Sequence, residues 1–569
     1  MALSAGNANF EIQVMKEGRW VAESIRDSED DARALAKRLM ANKACEGSRV
    51  VRNWMRGDGT MVETEVFSET REVRDDGQLR IANIEDVPPR CESTKEYYAL
   101  PSRMVMGRVF RPYLDQAGLT PTELIHNYKE MRRLQDKDTL VPSAVDRVAG
   151  LQTKGTEQDP RERREEIFKS IDAMAVRARK AEGLKLPKLN GSVNAMLSTL
   201  STMAQGEGDA DFLALVVLSD ELVQTRNFLG KLDRLCRLAE AETDKAGLTL
   251  LDGVIADVLG ANVVQELLGY QPGLGHAICA MLDLAEGALN TDKSEAGEIA
   301  VLLNGLLRAR KLPASRSCLI DRAHRQLRQA SPLYRNDPTK EGEAFRLVAE
   351  RLLGPDGLLC GAESADALTT RQTRMVEEGG AIGRRMAMSA CIRAMPDRAG
   401  SVLYLSDLSA GAYADEHLDD MARLLDTVCL ANGLGDFCKR GLPPRDLMQR
   451  ATNAHGAVSR SAFPETAKRR AMDRIDGLLE QYLVANQIIE KLDHADSPLK
   501  DRAVRLVQFC AAGVLPPGKA LGRARERVLA ILRQPSFDAH FVEGITDPTQ
   551  AAKALRDFHQ LLIKAGFGG

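Results

Sequence analysis

The sequence predicts a mainly α-helical protein, a multi-helix bundle or irregular α-solenoid, that begins with a small α+β module. Three observations lead to this fold class. Apolar residues alternate with polar residues in strand-like runs up to about residue 68, and from residue 102 to the end of the chain they recur at helical spacing. Both tryptophans, Trp20 and Trp54, lie in the first part. The rest is built mostly from Leu, Ala, Arg, Glu and Asp, a composition that favours helices over sheets.

The N-terminal module is predicted to run strand, strand, helix, strand, strand over residues 10–68. Phe10, Ile12 and Val14 alternate with polar residues, and a turn at 16–18 reverses the chain. Ser28 provides a helix start, and the glycine-rich turn at 56–59 joins the last two strands. The pattern indicates an antiparallel sheet covered on one face by one helix. Because so small a core is only marginally stable, the module would gain from a partner surface.

Composition and charge divide the chain into six predicted parts. They are the α+β module at 1–70, a charged linker at 71–101, a helical region at 102–205, an acidic helical region at 206–310, a helical region at 311–438 and a basic helical region at 439–569.

Helix starts and packing faces can be proposed within these regions. Helices are expected after the Leu-Pro steps at 312–313, 442–443 and 515–516, because proline fits the first helical turn. The last helix is expected to start at Pro548 behind an Asp547 cap. Apolar residues from Leu215 to Ala239 alternate steps of three and four, which predicts a heptad-like packing face.

The net charge of −3 conceals two oppositely charged stretches. Residues 207–298 hold 17 acidic and 6 basic side chains, whereas residues 439–533 hold 18 basic and 10 acidic ones. Opposite charges on this scale favour docking surfaces, within the chain or between two copies. Two ordinary solvated faces are the alternative.

Compartment and membrane association can also be predicted. The N-terminus lacks the basic and apolar segments of a secretory signal, and the apolar stretch at 212–218 is too short to span a membrane. The ten cysteines are scattered and form no CxxC pair, which is typical of reduced thiols. The sequence therefore predicts a cytoplasmic protein without a membrane span.

No complete catalytic motif of the phosphate-loop, zinc-protease, serine-hydrolase or dinucleotide-binding kind is visible. The nearest candidate is an anion site at residues 378–385. Gly379 and Gly380 could expose backbone N–H groups, and Arg384 and Arg385 could hold an anion. A helix–helix turn is the competing interpretation, since no strand precedes the glycines.

An acidic cluster at residues 415–420 contains one imidazole, His417. The carboxylates could chelate a divalent cation, but acids at a helix start also stabilise the helix dipole without a metal. No second histidine follows any of the eight histidines at helical spacing. We therefore predict neither a metal site nor a cofactor.

Residues 113–125 resemble the first half of a helix-turn-helix of the phage-repressor kind, in which Gly118, Leu119 and Thr120 form the turn before the second helix. The resemblance implies that residues 127–133 lie near DNA, with phosphate contacts from the cations Lys129, Arg132 and Arg133. It covers about 20 residues, and a strongly basic domain is not evident. The sequence therefore does not favour nucleic acid as a partner.

These observations together favour a non-enzymatic, cytoplasmic regulatory or scaffold protein that acts through protein–protein interaction and could form homo-oligomers. In this interpretation the α+β module recognises a partner and the helical body serves as the scaffold. A DNA-binding regulator that uses residues 113–133 is the alternative. A third hypothesis is an enzyme whose site is assembled from distant residues.

Overall fold

The computed structural model describes most of the chain, namely residues 9–16, 19–41, 47–55, 61–70, 79–137, 139–189, 192–204, 209–294, 296–335, 337–376 and 379–567. The chain divides into two compact units. The first unit comprises residues 1–326 and 330–344, and the second comprises residues 327–329 and 345–569.

The N-terminal module has the predicted α+β architecture. Its elements are β1 (Asn9–Lys16), β2 (Arg19–Arg26), α1 (Glu29–Ala41), β3 (Gly47–Met55) and β4 (Met61–Thr70). The strands form an antiparallel sheet in the order β2-β1-β3-β4. Phe10, Ile12 and Val50 on one face pack against Ala32 and Ala36 of α1. The predicted turns at 17–18 and 56–59 lie outside the described residues.

The opposite face of this sheet carries buried polar side chains on its two central strands, β1 and β3. Gln13 Nε2 and Asn53 Nδ2 donate to the Glu11 carboxylate at 2.8 and 3.3 Å. Arg335, from the helical part of the first unit, donates to Glu11 at 3.0 Å. The polar face of the module is therefore used in a hydrogen-bonded contact inside the first unit.

The remaining elements of the first unit are helices, which confirms the predicted fold class. They are α2 (Thr94–Tyr98), α3 (Leu100–Val109), α4 (Arg111–Ala117), α5 (Pro121–His126), α6 (Tyr128–Gln135), α7 (Leu140–Thr153), α8 (Pro160–Glu182), α9 (Val193–Met203), α10 (Asp209–Leu222), α11 (Phe228–Ala241), α12 (Lys245–Leu259), α13 (Val263–Leu268), α14 (Leu274–Ala285), α15 (Glu298–Arg308) and α16 (Pro313–Arg328), with 3-10 turns at Thr291–Lys293 and Pro338–Lys340.

The segment predicted as a linker contributes to the helical core where it is described. Ile84 is buried with Val105, Val109 and Ala144, and the Ala82 N–H donates to the Val109 carbonyl at 2.8 Å. Its last residues form α2 and the start of α3. The six predicted domain bounds as such stay predictions.

The heptad-like pattern from Leu215 to Ala239 is divided between two helices. α10 ends at Leu222, and α11 begins after Asn227, whose side chain caps it by accepting from the Leu229 N–H at 3.0 Å. The predicted packing face is therefore shared by two helices, because the asparagine cap starts a new helix in the middle of the pattern.

Residues 341 to 564 contain the remaining helices. They are α17 (Glu341–Leu352), α18 (Ala362–Met375), α19 (Gly380–Ala394), α20 (Arg398–Leu408), α21 (Ala414–Val428), α22 (Leu434–Phe437), α23 (Pro444–Arg460), α24 (Glu465–Ala485), α25 (Ile488–Leu492), α26 (Leu499–Ala511), α27 (Lys519–Leu532), α28 (Phe537–Phe541) and α29 (Pro548–Lys564).

The C-terminal helices of the second unit form consecutive hairpins that stack on one another. Short connections join α20 to α21, α23 to α24 and α26 to α27, and the helices of each pair pack together. α24 also contacts α21 and α27, and α23 also contacts α20. Such stacked antiparallel helices fit the predicted mainly α-helical body, whether it is described as a bundle or as an irregular α-solenoid.

The predicted helix starts differ in how they are capped. α16 starts at Pro313, α23 at Pro444 and α29 at Pro548, where Asp547 accepts from the Thr549 N–H at 2.8 Å. α27 starts only at Lys519, past both prolines. Its first N–H groups are satisfied by an aspartate from another helix, a contact that local sequence does not reveal.

Within the described part of the chain, no helix combines the length and the apolar character needed to cross a membrane.

Candidate functional site

A cleft of about 490 Å³ opens in the second unit where four helices meet. The end of α19, the start of α20, the end of α21 and the turn after α22 form its walls. We call it the basic cleft, and its lining residues are Ile392, Arg393, Met395, Pro396, Asp397, Arg398, Ser401, Thr427, Val428, Gly435, Asp436, Cys438, Lys439 and Arg440.

Asp397 fixes the floor of the basic cleft. Its carboxylate caps α20 by accepting from the Gly400 N–H at 2.7 Å, and it accepts from the Lys439 N–H at 2.8 Å. Arg450 of α23 binds both oxygens, at 2.6 and 2.8 Å. Burial opposes the charge on Arg450, but the bonds and charge of Asp397 outweigh it and raise the pKa of the guanidinium. Bidentate pairing of this kind holds two segments in fixed register.

Three cations around the cleft have no anionic partner among the described residues, namely Arg393, Lys439 and Arg440, and all three are exposed. Arg398 lies 3.8 Å from Asp436. Since the only other lining carboxylate, Asp397, is already paired with Arg450, the cleft carries an excess of positive charge. Exposed guanidinium groups without partners are suited to binding carboxylates.

The cleft also offers apolar surface between its charges. Ile392, Met395, Pro396 and Val428 line it. The Cys438 thiol is buried, and burial raises its pKa to about 12, so this sulfur is uncharged at neutral pH. The arrangement therefore suits a ligand that combines acidic and apolar groups, and it provides no activated thiol.

A second depression of about 440 Å³ adjoins the basic cleft, with which it shares Pro396 and Lys439. Arg450 and Asn453 line it, and Asn453 donates to the Pro355 carbonyl at 3.1 Å. The two depressions are therefore neighbours on one surface, and the second also carries the carboxylates Glu350 and Asp446.

The predicted anion site lies elsewhere on α19. Gly379 caps the helix, and Gly380 begins it with a positive φ of 68°. Arg384 pairs with Glu416 and lies 2.8 Å from His417 Nε2, while Arg385 lies 3.9 Å from Asp420.

The structure thus joins the predicted anion site to the predicted acidic cluster on α21. Both arginines thus face carboxylates of that cluster, and anion binding at this place stays a prediction. Within the described residues, no group of three or more potential metal ligands comes together.

The helix-turn-helix-like segment forms α4, α5 and α6, with Gly118 at φ 63° between the first two helices. All six residues of α5 are buried, so the second helix of the resemblance presents no side chain to a DNA groove. On α6, Lys129 lies 3.4 Å from Glu182, Arg132 lies 3.5 Å from Asp136, and Arg133 lies 2.7 Å from Glu130. Each of the three predicted phosphate-binding cations therefore faces a carboxylate.

Sequence reasoning placed the basic region at 439–569 but missed the residues of the cleft. Lys439 and Arg440 are adjacent in sequence and begin that region, so this pair of cations was a sequence signal for the cleft. Arg393 and Arg398 lie 40 or more residues earlier and join them only through the packing of α19, α20 and α22.

Comparison with protein-family models, with curated proteins and with solved structures gives no match to this chain. The fold and the cleft define a class only, a helical-hairpin protein with an appended small sheet module and a positively charged groove.

Proposed function

We propose that this chain is a non-enzymatic regulatory or scaffold protein that binds an acidic segment of a partner protein in the basic cleft. The observation that carries the proposal is the set of unpaired cations Arg393, Lys439 and Arg440 around an apolar floor. Stacked helical hairpins present extended grooves of this kind to peptides. Acidic peptides supply carboxylates for the rim and apolar side chains for Ile392, Met395 and Val428.

Charge complementarity is expected to determine the rate and specificity of this binding more than its affinity. The binding must therefore weaken with salt, because the screening length falls from about 10 Å at 0.1 M to about 3 Å at 1 M. The apolar floor supplies the part of the affinity that survives at high salt.

The test is fluorescence anisotropy of the full chain with a labelled peptide in which Asp and Glu alternate with Leu. The variant Arg393→Glu with Arg440→Glu should weaken binding at least about tenfold, or about 1.4 kcal/mol. The matched control is Arg469→Glu with Arg533→Glu. It changes net charge equally at two exposed arginines that do not line the cleft and have no ion-pair partner among the described residues.

The control should change affinity by less than about threefold. Equal losses in both variants would mean general attraction to a basic surface and would refute a specific site. If duplex DNA of similar charge binds more tightly than the peptide, the partner of the basic cleft is a nucleic acid and not a protein. If sedimentation shows that wild type alone self-associates and the Arg393/Arg440 variant does not, the acidic segment belongs to a second copy of this chain.

A further inference from the structure

The first unit contains a partly open apolar pocket of about 140 Å³, called the cavity below, that the interaction function does not use. Helices α3, α5, α6, α7 and α8 surround it. An extended strap, residues 84–91, covers it from the side of α7 and α8. Interiors this densely built normally leave few voids larger than one water molecule, so a cavity of this size needs an explanation.

The walls are almost entirely aliphatic, aromatic or thioether groups. Val105, Leu124, Ile125 and Val145 are buried around the cavity. The polar side chains in the wall are Cys91, Tyr97, Ser102, Gln135, Gln152 and Arg163.

Those polar groups are mostly engaged with one another or with backbone. Arg163 donates to Gln152 Oε1 at 2.7 Å and to the Cys91 carbonyl at 3.3 Å. Gln152 Nε2 donates to the Pro89 carbonyl at 2.8 Å, and Ser102 donates to the Glu96 carbonyl at 2.7 Å. A water molecule inside would find too few of the two to four partners it needs, so the cavity favours an apolar occupant over water.

The volume of the cavity and the flexibility of its lining side chains indicate which class of ligand it can bind. An engineered apolar cavity of about 150 Å³ in another protein stays dry and takes up benzene. Met106, Met131 and Met174 line this cavity, and their flexible thioether side chains can adapt to ligands of slightly different shape.

The strap provides a removable cover. Arg147 donates to the Ile84 carbonyl at 3.0 Å, Gln152 holds Pro89, and Arg163 holds Cys91. The strap is extended, and besides these bonds it packs through the buried Ile84 against Val105, Val109 and Ala144. Displacing residues 88–91 would widen the opening of the cavity without unfolding a helix.

We propose that this cavity is a binding site for a small uncharged apolar molecule, of the size of a single aromatic ring or a short branched alkyl group, and that the strap closes over it. The proposal is independent of the basic cleft, which lies in the other unit.

The test uses the full chain with methyl-labelled methionine and benzene as the probe. Benzene should shift the methyl resonances of Met131 and Met174 saturably. Met388 and Met421, which are fully buried in the second unit, should not respond. Ala144→Leu, which fills the cavity, should weaken the probe's apparent affinity at least about tenfold and raise the melting temperature.

If Ala144→Leu does not fold, Val145→Ile serves instead, since it adds one methylene to the same wall and should weaken the affinity by a smaller factor. The absence of saturable shifts in wild type would refute the proposal. So would equal responses at Met388 and Met421, or unchanged affinity in the filled variant, because the probe would then bind elsewhere.

Discussion

Helices α12 and α24, one in each unit, share a local sequence pattern but differ in how deeply they are buried. Each pattern has an Asp-Gly step, a leucine seven residues after the aspartate, and then an Ala-Asn pair. For α12 these residues are Asp252, Gly253, Leu259, Ala261 and Asn262. For α24 they are Asp476, Gly477, Leu483, Ala485 and Asn486. A short helix follows in both cases, α13 and α25.

The aspartate plays the same part in both units. Asp252 accepts from the N–H groups of Ala314 and Ser315 at 2.6 and 2.8 Å and so caps α16. Asp476 accepts from those of Lys519 and Ala520 at 2.6 and 3.1 Å and so caps α27. Each carboxylate satisfies first-turn donors of a later helix, which fixes that helix against its own.

The two helices differ five residues after the aspartate. Asp257 of α12 is completely buried and pairs with Arg103 at 2.9 Å, whereas the equivalent Gln481 of α24 is exposed. α12 is surrounded by α3, α5, α9 and α11, and every residue from 251 to 259 is buried. The same pattern can therefore serve a central or a peripheral helix, but a charge at the central position requires a partner from elsewhere in the chain.

The largest effect should follow from breaking that partnership. Arg103→Met leaves Asp257 buried without its cationic partner, and it also removes bonds to the carbonyls of Tyr98 and Gly253. Loss of one member of a buried ion pair costs about 3–5 kcal/mol. Chemical denaturation should show this loss in the transition of the first unit only. A loss below about 1 kcal/mol would mean that water reaches Asp257.

The pH dependence of stability should also separate the units. Burial lowers the pKa of His126 in α5 to about 3, so the folded first unit keeps the imidazole neutral while the unfolded chain takes up a proton below about pH 6.5. Its contribution is therefore fully present above pH 6.5 and is lost as the pH falls towards 3. The slope reaches about 1.4 kcal/mol per pH unit.

Two variants isolate the contribution of His126 to the pH dependence of the unfolding free energy. His126→Gln should flatten the dependence of the unfolding free energy between pH 6.5 and 4 relative to wild type. His455 of α23 is less completely enclosed, and burial lowers its pKa too. His455→Gln should flatten the curve less, and identical curves for wild type and the His126 variant would contradict the assignment.

The shared caps should contribute similar, smaller amounts. Asp252→Ala and Asp476→Ala each leave two backbone donors of another helix without an acceptor, which costs about 1–2 kcal/mol. Asp252 should cost slightly more, because it also accepts from the Ser315 hydroxyl at 2.6 Å. Thermal unfolding of the two single variants measures both values. A neutral result for either variant would mean that its helix start is capped by solvent.

Local sequence was sufficient for the fold class and for helix starts whose caps lie beside them. The alternation around Ile12 and the Asp547 cap required only neighbouring residues. The contacts that distinguish the two units could not be predicted from neighbouring residues. Arg103 reaches Asp257, and Lys231 reaches Glu123 at 2.5 Å with both side chains fully buried, across more than a hundred residues in each case.

The candidate sites show the same division. The Gly-Arg motif at 379–385 and the acids at 415–420 were visible as separate patterns, but their mutual pairing depends on the packing of α19 against α21. The basic cleft likewise depends on Arg393 meeting Lys439. Nothing in a single helical stretch specifies which other helix its charged face will contact.

The smallest effect is expected at the peripheral counterpart of Asp257. Gln481→Asp gives α24 the residue that α12 has, but at an exposed position where water solvates the carboxylate. The unfolding free energy should therefore change by no more than about 0.5 kcal/mol, the range of ordinary surface substitutions. The companion variant Asp257→Gln removes the charge from the central helix and leaves Arg103 buried without its anion, so it should cost several-fold more. Denaturation of the full chain measures the unfolding free energy of both variants. The two values compare an exchange between Asp and Gln at an exposed and at a buried position. If the two variants were equally destabilised, burial would not be what separates α12 from α24, and the buried Arg103–Asp257 pair would lose its explanation.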